Sequence, residues 1–315
     1  MSLIWLGSAY CKEFMDKSQQ KYRLNIIGCG HLGQTLAYLW AQTELLSIAQ
    51  VVNSSLSSSQ AAVRFIGQGQ ALASLQDLQP ADLYLLGCPD KALESCCADL
   101  ARVRILRAGD LVFHCSGAIA SEVLKPLAEQ GAYIASVHPI KSFAQPKQAI
   151  HSFKPTYCGV EGDAAALAVL QTLFEEIGGI VFNINPAQKT LYHAASVFAC
   201  NYLVALQSVS LRAFAQAGVD EDLALKILQP MVQDTVMNLF KLSPAEALTG
   251  PIARGDAGVV AKQLAALQAS QPADAELYRL LGLEALALAH QRQKTAPAYL
   301  QQVASVLTAN LSGAD

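Results

Sequence analysis

The segment from 24 to 40, LNIIGCGHLGQTLAYLW, constrains the fold more than any other stretch. An apolar run ends in Gly28-Cys29-Gly30-His31-Leu32-Gly33, and an amphipathic segment begins at once. A strand, a Gly-x-Gly-x-x-Gly turn and a helix in that order make the phosphate-binding turn of dinucleotide folds. Each glycine has its own task there. Gly28 permits the tight turn, Gly30 lets backbone approach the pyrophosphate, and Gly33 lets helix pack on strand. Amides at the helix start, with the positive end of the helix dipole, then face the phosphates. The competing reading is a glycine-rich connection that binds nothing.

The text that follows supports the first reading. Apolar runs at 48–53, 83–87, 111–115, 133–137, 156–160 and 180–184 predict further strands after 24–28. Amphipathic segments at 33–45, 57–66, 92–103, 119–130 and 163–176 predict the helices between them. Such alternation implies an α/β fold with a doubly wound, mainly parallel sheet. Beyond Asn185-Pro186 the strand signal stops. Helices are expected over 186–217, 221–241, 257–268, 273–291 and 294–311, with Pro186 opening the first and AGVDED at 217–222 separating it from the next. Three segments result: an extension over 1–21, a dinucleotide-binding domain over 22–185 and an all-α domain over 186–315.

The loops after the strands carry the candidate chemistry. The second strand ends at Val52-Asn53-Ser54-Ser55, where an NAD site usually has an acidic residue for the ribose hydroxyls. Small polar residues suit a 2′-phosphate better, which points to NADP over NAD; a solvated polar loop is the other reading. Cys88-Pro89-Asp90, His114-Cys115-Ser116-Gly117 and His138-Pro139 stand at the ends of three later strands. Ligands of open α/β sheets bind outside the carboxyl ends of the strands, so these loops converge on one crevice.

In the helical half, Lys189, His193 and Asn201 stand out in an apolar helix. Lys189 and His193 share a face as i and i+4. His193 and Asn201 lie roughly 12 Å apart along the axis and about 80° around it, so both can border one elongated cleft. The stretch LTGPIARGDAG at 248–258 interrupts helical text, and Arg254 or the helix after Asp256 could hold an anion there. Packing roles remain open for His193 and Asn201, and a plain connection for the loop.

Totals narrow the classes. The chain has 315 residues, 52% hydrophobic and 15% charged, with a net charge of -3 and no run of three Lys or Arg, which argues against a nucleic-acid partner. The eight cysteines include no CxxC pair, and several sit in apolar runs, so reduced thiols in the cytoplasm are expected and no metal site is read. The first 15 residues lack a basic n-region and hold only a short apolar stretch, so neither a signal peptide nor a membrane partner is expected.

Taken together, GCGHLG, VVNSS, HCSGA, VHPIKSF, YHAASVFACNYLVAL and LTGPIARGD resemble a family of Rossmann-like proteins with a DUF2520 C-terminal domain. The resemblance spans residues 22 to 310. The family is similar in layout to ketopantoate reductase, pyrroline-5-carboxylate reductase and the 6-phosphogluconate dehydrogenase-like superfamily. It implies a Rossmann-type NADP-binding domain followed by a helical domain that mediates homodimerisation. Asn201-Tyr202-Leu203-Val204-Ala205-Leu206 is similar to a stretch of ketopantoate reductases whose Asn follows a catalytic Lys by eight residues, which puts His193 in the lysine position. A second register puts Lys189 in that role. Histidine titrates at about 6.5 where lysine titrates at about 10.4, so His193 would need tuning to act as the acid. The implied activity is NADP-dependent reduction of a carbonyl or imine of a small anionic substrate at an interdomain cleft. Ser116, His138, His193, Asn201 and Arg254 would line it. A non-catalytic NADP(H)-binding sensor or scaffold is the alternative.

Overall fold

A computed structural model describes residues 21–309, so most of the expected extension over 1–21 lies outside the described residues. The chain divides into two compact units between Phe198 and Ala199.

The first unit is built on one sheet of eight strands: β1 (Tyr22–Ile27), β2 (Leu46–Val52), β3 (Gln70–Leu72), β4 (Leu83–Leu86), β5 (Leu111–His114), β6 (Tyr133–Pro139), β7 (Thr156–Gly162) and β8 (Gly179–Asn183). Their spatial order is β3-β2-β1-β4-β5-β6-β7-β8. The first six run parallel in the 3-2-1-4-5-6 order of dinucleotide-binding folds. The chain then turns back: β7 pairs antiparallel with β6, and β8 runs parallel to β7.

Helices α1 (His31–Ala41), α2 (Leu56–Ile66), α3 (Asp90–Val103), α4 (Lys125–Ala128), α5 (Pro146–His151), α6 (Ala164–Glu176) and α7 (Lys189–Ser196) complete the unit. Alternate strand residues feed two apolar clusters. Leu24, Ile26, Leu85 and Phe113 pack with residues of α1, α2 and α6, whereas Ile27, Tyr84, Leu86 and Val112 pack with α3 and α4. Burial on both faces explains why these strands read as continuous apolar runs. Trp40 on α1 meets Phe174 edge-on at 5.1 Å and Phe113 at 6.3 Å, and its indole N–H donates to the Leu173 carbonyl at 2.9 Å. Such edge-on pairs contribute about 0.5–1.5 kcal/mol each beyond burial.

The second unit comprises α8 (Tyr202–Gln216), α9 (Glu221–Lys241), α10 (Pro244–Ala247), α11 (Pro251–Arg254), α12 (Ala257–Ser270), α13 (Pro272–Arg292) and α14 (Pro297–Thr308). Its core holds Ile252, Val260, Leu286, Leu300, Val303 and Leu307. Arg212 on α8 pairs with the buried Asp274 of α13 at 2.6 Å. By contrast α8 buries no residue, and α9 buries only Ala224 and Leu228.

Several expectations need adjusting. β3 and α5 carry too few residues for a periodic signal. The helix expected over 119–130 is a 3-10 turn over Ser121–Leu124 followed by the one-turn α4. The helix expected over 186–217 opens with a 3-10 turn at Pro186–Gln188 and widens to a π turn at Val197–Asn201 between α7 and α8. By length and composition this 31-residue stretch, Pro186–Gln216, could cross a bilayer. Asp220 and Asp256 cap α9 and α12 through their carboxylates, which accept from the Leu223 and Val259 amides.

Candidate functional site

A cleft of about 560 Å³ opens at the carboxyl ends of β1, β2, β4 and β5. It is lined by Gly28, Cys29, Gly30, His31 and Leu32 from the glycine turn, and by Asn53, Ser54 and Ser58 beyond β2. Cys88, Pro89 and Asp90 beyond β4, with Cys115 and Ser116 beyond β5, close the other side. The glycine turn and the loops beyond β2, β4 and β5 therefore share one cleft, whereas His138 and Pro139 of β6 are not on its lining. Gly28 sits at φ +84°, and a Cβ there would stand 2.6 Å from the Cys88 amide nitrogen, so the turn admits no side chain. Gly33 packs under the turn, its Cβ direction 3.4 Å from the Cys29 Sγ.

Gly30 differs. A Cβ on Gly30 would meet nothing within 4 Å, and its backbone angles, φ -76° and ψ -163°, suit any residue. As N-cap of α1 it supplies no side-chain acceptor, leaving amides of the first turn available. Neither packing nor backbone strain calls for glycine here. The open space would accommodate a phosphate against the helix start. The turn thus fits a dinucleotide pyrophosphate.

Asn53 ties the turn to β2. Its Oδ1 accepts from the Cys29 amide at 2.5 Å, and its Nδ2 donates to the Ser58 hydroxyl at 3.2 Å. Ser55 does not line the cleft. It caps α2, where its hydroxyl accepts from the Ser58 amide at 3.3 Å. Ser58, missed by sequence reasoning, takes its place on the lining; the run SSLSSS at 54–59 was the available signal.

The loop after β5 leads to a cluster of rings. Ser116 accepts from the Ala118 and Ile119 amides at 3.2 and 3.0 Å, turning the chain so that Gly117 faces two imidazoles. A Cβ on Gly117 would stand 2.4 Å from His193 Nδ1 and 2.8 Å from His138 Nε2. The two rings pack edge-on with centroids 5.6 Å apart. His138 Nδ1 shares a hydrogen bond of 2.9 Å with the Tyr192 hydroxyl. Gly159 makes room for that hydroxyl, which lies 2.7 Å from its Cβ direction. Burial pushes His138 down to about 4, with His193 and Lys189 adding to the effect, and burial pushes Tyr192 up to about 12. His193 Nδ1 is buried and has no hydrogen-bond partner among the described residues. Tyr192 was not singled out from sequence, since an aromatic on an apolar helix face carries no separate signal.

Behind the loop lies a buried polar network. Lys189 on α7 and Glu161 on β7 form an ion pair at 2.9 Å, with side chains only 1% and 3% exposed. The Lys189 ammonium also donates to the Ser136 hydroxyl. Glu161 accepts from the Ser121 amide at 2.8 Å and from its hydroxyl at 2.6 Å. Beside it His114 accepts the Ser116 amide through Nδ1 at 3.1 Å, so its proton sits on Nε2, 3.3 Å from the Ala120 carbonyl. Burial holds His114 neutral, down to about 4. Burial also pushes the Lys189 ammonium below its usual range, against the pull of Glu161. Lys189 is thus engaged in holding α7 and the 115–121 loop to the sheet. Asn201 ends the π turn just past the division between the units, and Arg254 ends α11 in the second unit as an exposed side chain.

Comparison with known proteins agrees with this architecture. Residues 10–139 match the model of a Rossmann-like domain, and residues 156–285 match that of DUF2520, a domain of unknown function. No curated protein matches the sequence. Protein TM1727 from Thermotoga maritima superposes with a TM-score of 0.67 at 25% identity, over 86% of this chain and 100% of that one. A candidate NADP oxidoreductase from Bacteroides fragilis gives 0.69 at 23% identity, over 84% and 98%. A pyrroline-5-carboxylate reductase from Streptococcus pyogenes gives 0.57 at 19% identity, also over 84% and 98%. The chain thus carries, in sequence order, a match to a Rossmann-like domain and a match to DUF2520.

Proposed function

We propose that the protein is a nicotinamide-dependent oxidoreductase, with NADP preferred, acting on a carbonyl or imine of a small anionic substrate. One observation carries the reading: the loop Cys115-Ser116-Gly117 joins the cleft at Gly30 to the His138–His193–Tyr192 cluster. Two of the similar folds, a candidate NADP oxidoreductase and a pyrroline-5-carboxylate reductase, support the same reading. Amides of the α1 first turn would hold the pyrophosphate, and Ser54 and Ser58 the ribose end. The absence of a carboxylate after β2 favours a 2′-phosphate there. When bound, the reduced nicotinamide supplies a hydride to the substrate carbon. An imidazole N–H of the cluster would donate a hydrogen bond to the oxygen or nitrogen that gains the electron pair, with the proton that completes the reduction coming from solvent. Orientation of the substrate by Asn201 and capture of its anionic group by Arg254 belong to the same proposal.

A second reading, NADP(H) binding without turnover, draws on the engagement of Lys189 with Glu161, which leaves no free lysine in the cluster. Fluorescence titration with NADPH and NADH tests the cofactor assignment, and tighter NADH binding removes the NADP preference. Screening NADPH oxidation against 2-keto acids and cyclic imines tests catalysis. Turnover unaffected by both His193→Ala and Asn201→Ala would remove those roles, and binding without turnover would favour the second reading.

We also propose that the helical unit pairs with a second copy. Val204 and Phe240 are 72% and 83% exposed on helices that bury almost nothing. Sedimentation equilibrium returning a monomer at micromolar concentration would remove this.

A further inference from the structure

The oxidoreductase reading leaves open which imidazole donates that hydrogen bond and from which nitrogen. We propose that Tyr192 is a positioning residue that holds His138 as its Nε2–H tautomer, so that His138 presents a donor N–H toward the Ser116–Gly117 loop. The functional meaning of this assignment rests on the oxidoreductase reading; its structural content does not.

The Tyr192 hydroxyl and His138 Nδ1 are hydrogen-bonded at 2.9 Å. Both groups are neutral near pH 7, since burial pushes the phenol up to about 12 and the imidazole down to about 4. A phenol shares an oxygen lone pair with its ring, which makes it a better donor than acceptor, whereas the unprotonated nitrogen of neutral imidazole is a strong acceptor. The hydroxyl therefore donates to Nδ1, and the single ring proton resides on Nε2. That nitrogen faces Gly117, 2.8 Å from the position a Cβ would take. The tyrosine is itself held in register. Its oxygen packs over Gly159 of β7, and Lys189, three residues earlier on α7, is anchored to Glu161 of the same strand.

The charged and titratable groups that act on His138 come from two helices. Tyr192, His193 and Lys189 belong to α7, and Asp90 opens α3. Loss of the phenol removes a bond made only to the neutral ring. The ring should then protonate more readily and should no longer prefer one tautomer.

The full chain has six histidines, so labelling with 15N-histidine and recording long-range 1H–15N correlations at pH 7 gives an uncrowded spectrum. His138→Gln identifies the His138 signals. His114 serves as an internal standard, because the Ser116 amide already fixes it as the Nε2–H form. We expect the Nε2–H pattern for His138 in the wild type. In Tyr192→Phe we expect a mixture of tautomers and a titration midpoint raised by about one pH unit, with His114 unchanged. A wild-type His138 in the Nδ1–H form overturns the proposal. So does a Tyr192→Phe spectrum and titration identical to wild type. Should that variant not fold, the wild-type tautomer decides alone. Neither cofactor binding nor turnover enters the readout, so failure of the oxidoreductase reading and failure of this assignment are separately visible.

Discussion

Gly30 and Gly117 occupy equivalent places, each just past the carboxyl end of a strand in one sheet, yet they are glycines for opposite reasons. At Gly30 an added Cβ would meet open space, and the helix behind it has no side-chain cap. At Gly117 an added Cβ would strike two imidazoles belonging to the protein itself. One glycine leaves room for something the chain does not contain, and the other for what it does. The difference extends outward. The turn around Gly30 faces a cleft of about 560 Å³, whereas the loop around Gly117 is backed by the buried Lys189–Glu161 pair, Ser121 and a neutral His114. An open cleft and a filled, polar-backed loop thus lie along the carboxyl ends of the strands of one sheet.

That contrast can be broken at several points. The largest effect is expected from the buried pair. Lys189→Met or Glu161→Gln alone leaves an uncompensated buried group and should destabilise the chain by about 3–5 kcal/mol. The double variant Lys189→Met/Glu161→Leu should recover much of that in urea denaturation. Two single variants as stable as wild type would show that the pair does not anchor the loop. Next comes pH. His114 sits at about 4 in the folded chain and titrates at about 6.5 when unfolded, so below 6.5 the unfolded state binds more protons. Its contribution, about 3 kcal/mol at most, is present above pH 6.5 and is lost as the pH falls toward 4. His138, also at about 4, adds in the same direction. Urea midpoints between pH 7 and 4.5 should fall, and His114→Gln should flatten that slope; an unaltered slope would contradict the burial of a neutral ring.

The glycines themselves give the sharper pair of tests. Gly117→Ala forces two rings aside and should cost about 1–3 kcal/mol of stability, while leaving NADPH affinity within a few-fold of wild type. Gly30→Ala should do the reverse: stability within about 0.5 kcal/mol of wild type, with NADPH affinity reduced about tenfold by a methyl group where phosphate should lie. If both variants behaved alike in both assays, the distinction between an open and a filled glycine would fall.

Much of the first unit was legible because its signals are local. The glycine turn at 28–33 and the strand runs follow the sequence pattern, since two-sided burial demands unbroken apolar strands and tight turns demand glycine. What depended on distant partners did not read. Lys189 stood out as a polar residue on an apolar helix, but the sequence could not show that Glu161, 28 residues earlier, would neutralise it. Ser55 and Ser58 are interchangeable as text, and only the start of α2 decided that the first caps the helix while the second lines the cleft. Tyr192 passed for packing until the fold put its hydroxyl against His138.

By itself the amino-acid sequence determined the order of elements, the glycine turn after the first strand and the change from strand-and-helix to helix alone near residue 185, because each follows from periodicity and backbone freedom over a few residues. The tertiary structure alone decided which side chains meet: His138 with Tyr192 and His193, and Lys189 with Glu161. Those contacts join strands and helices far apart in the chain. Burial shifts the titration of His138, Tyr192 and Lys189, and burial is a property no residue possesses until the fold has surrounded it.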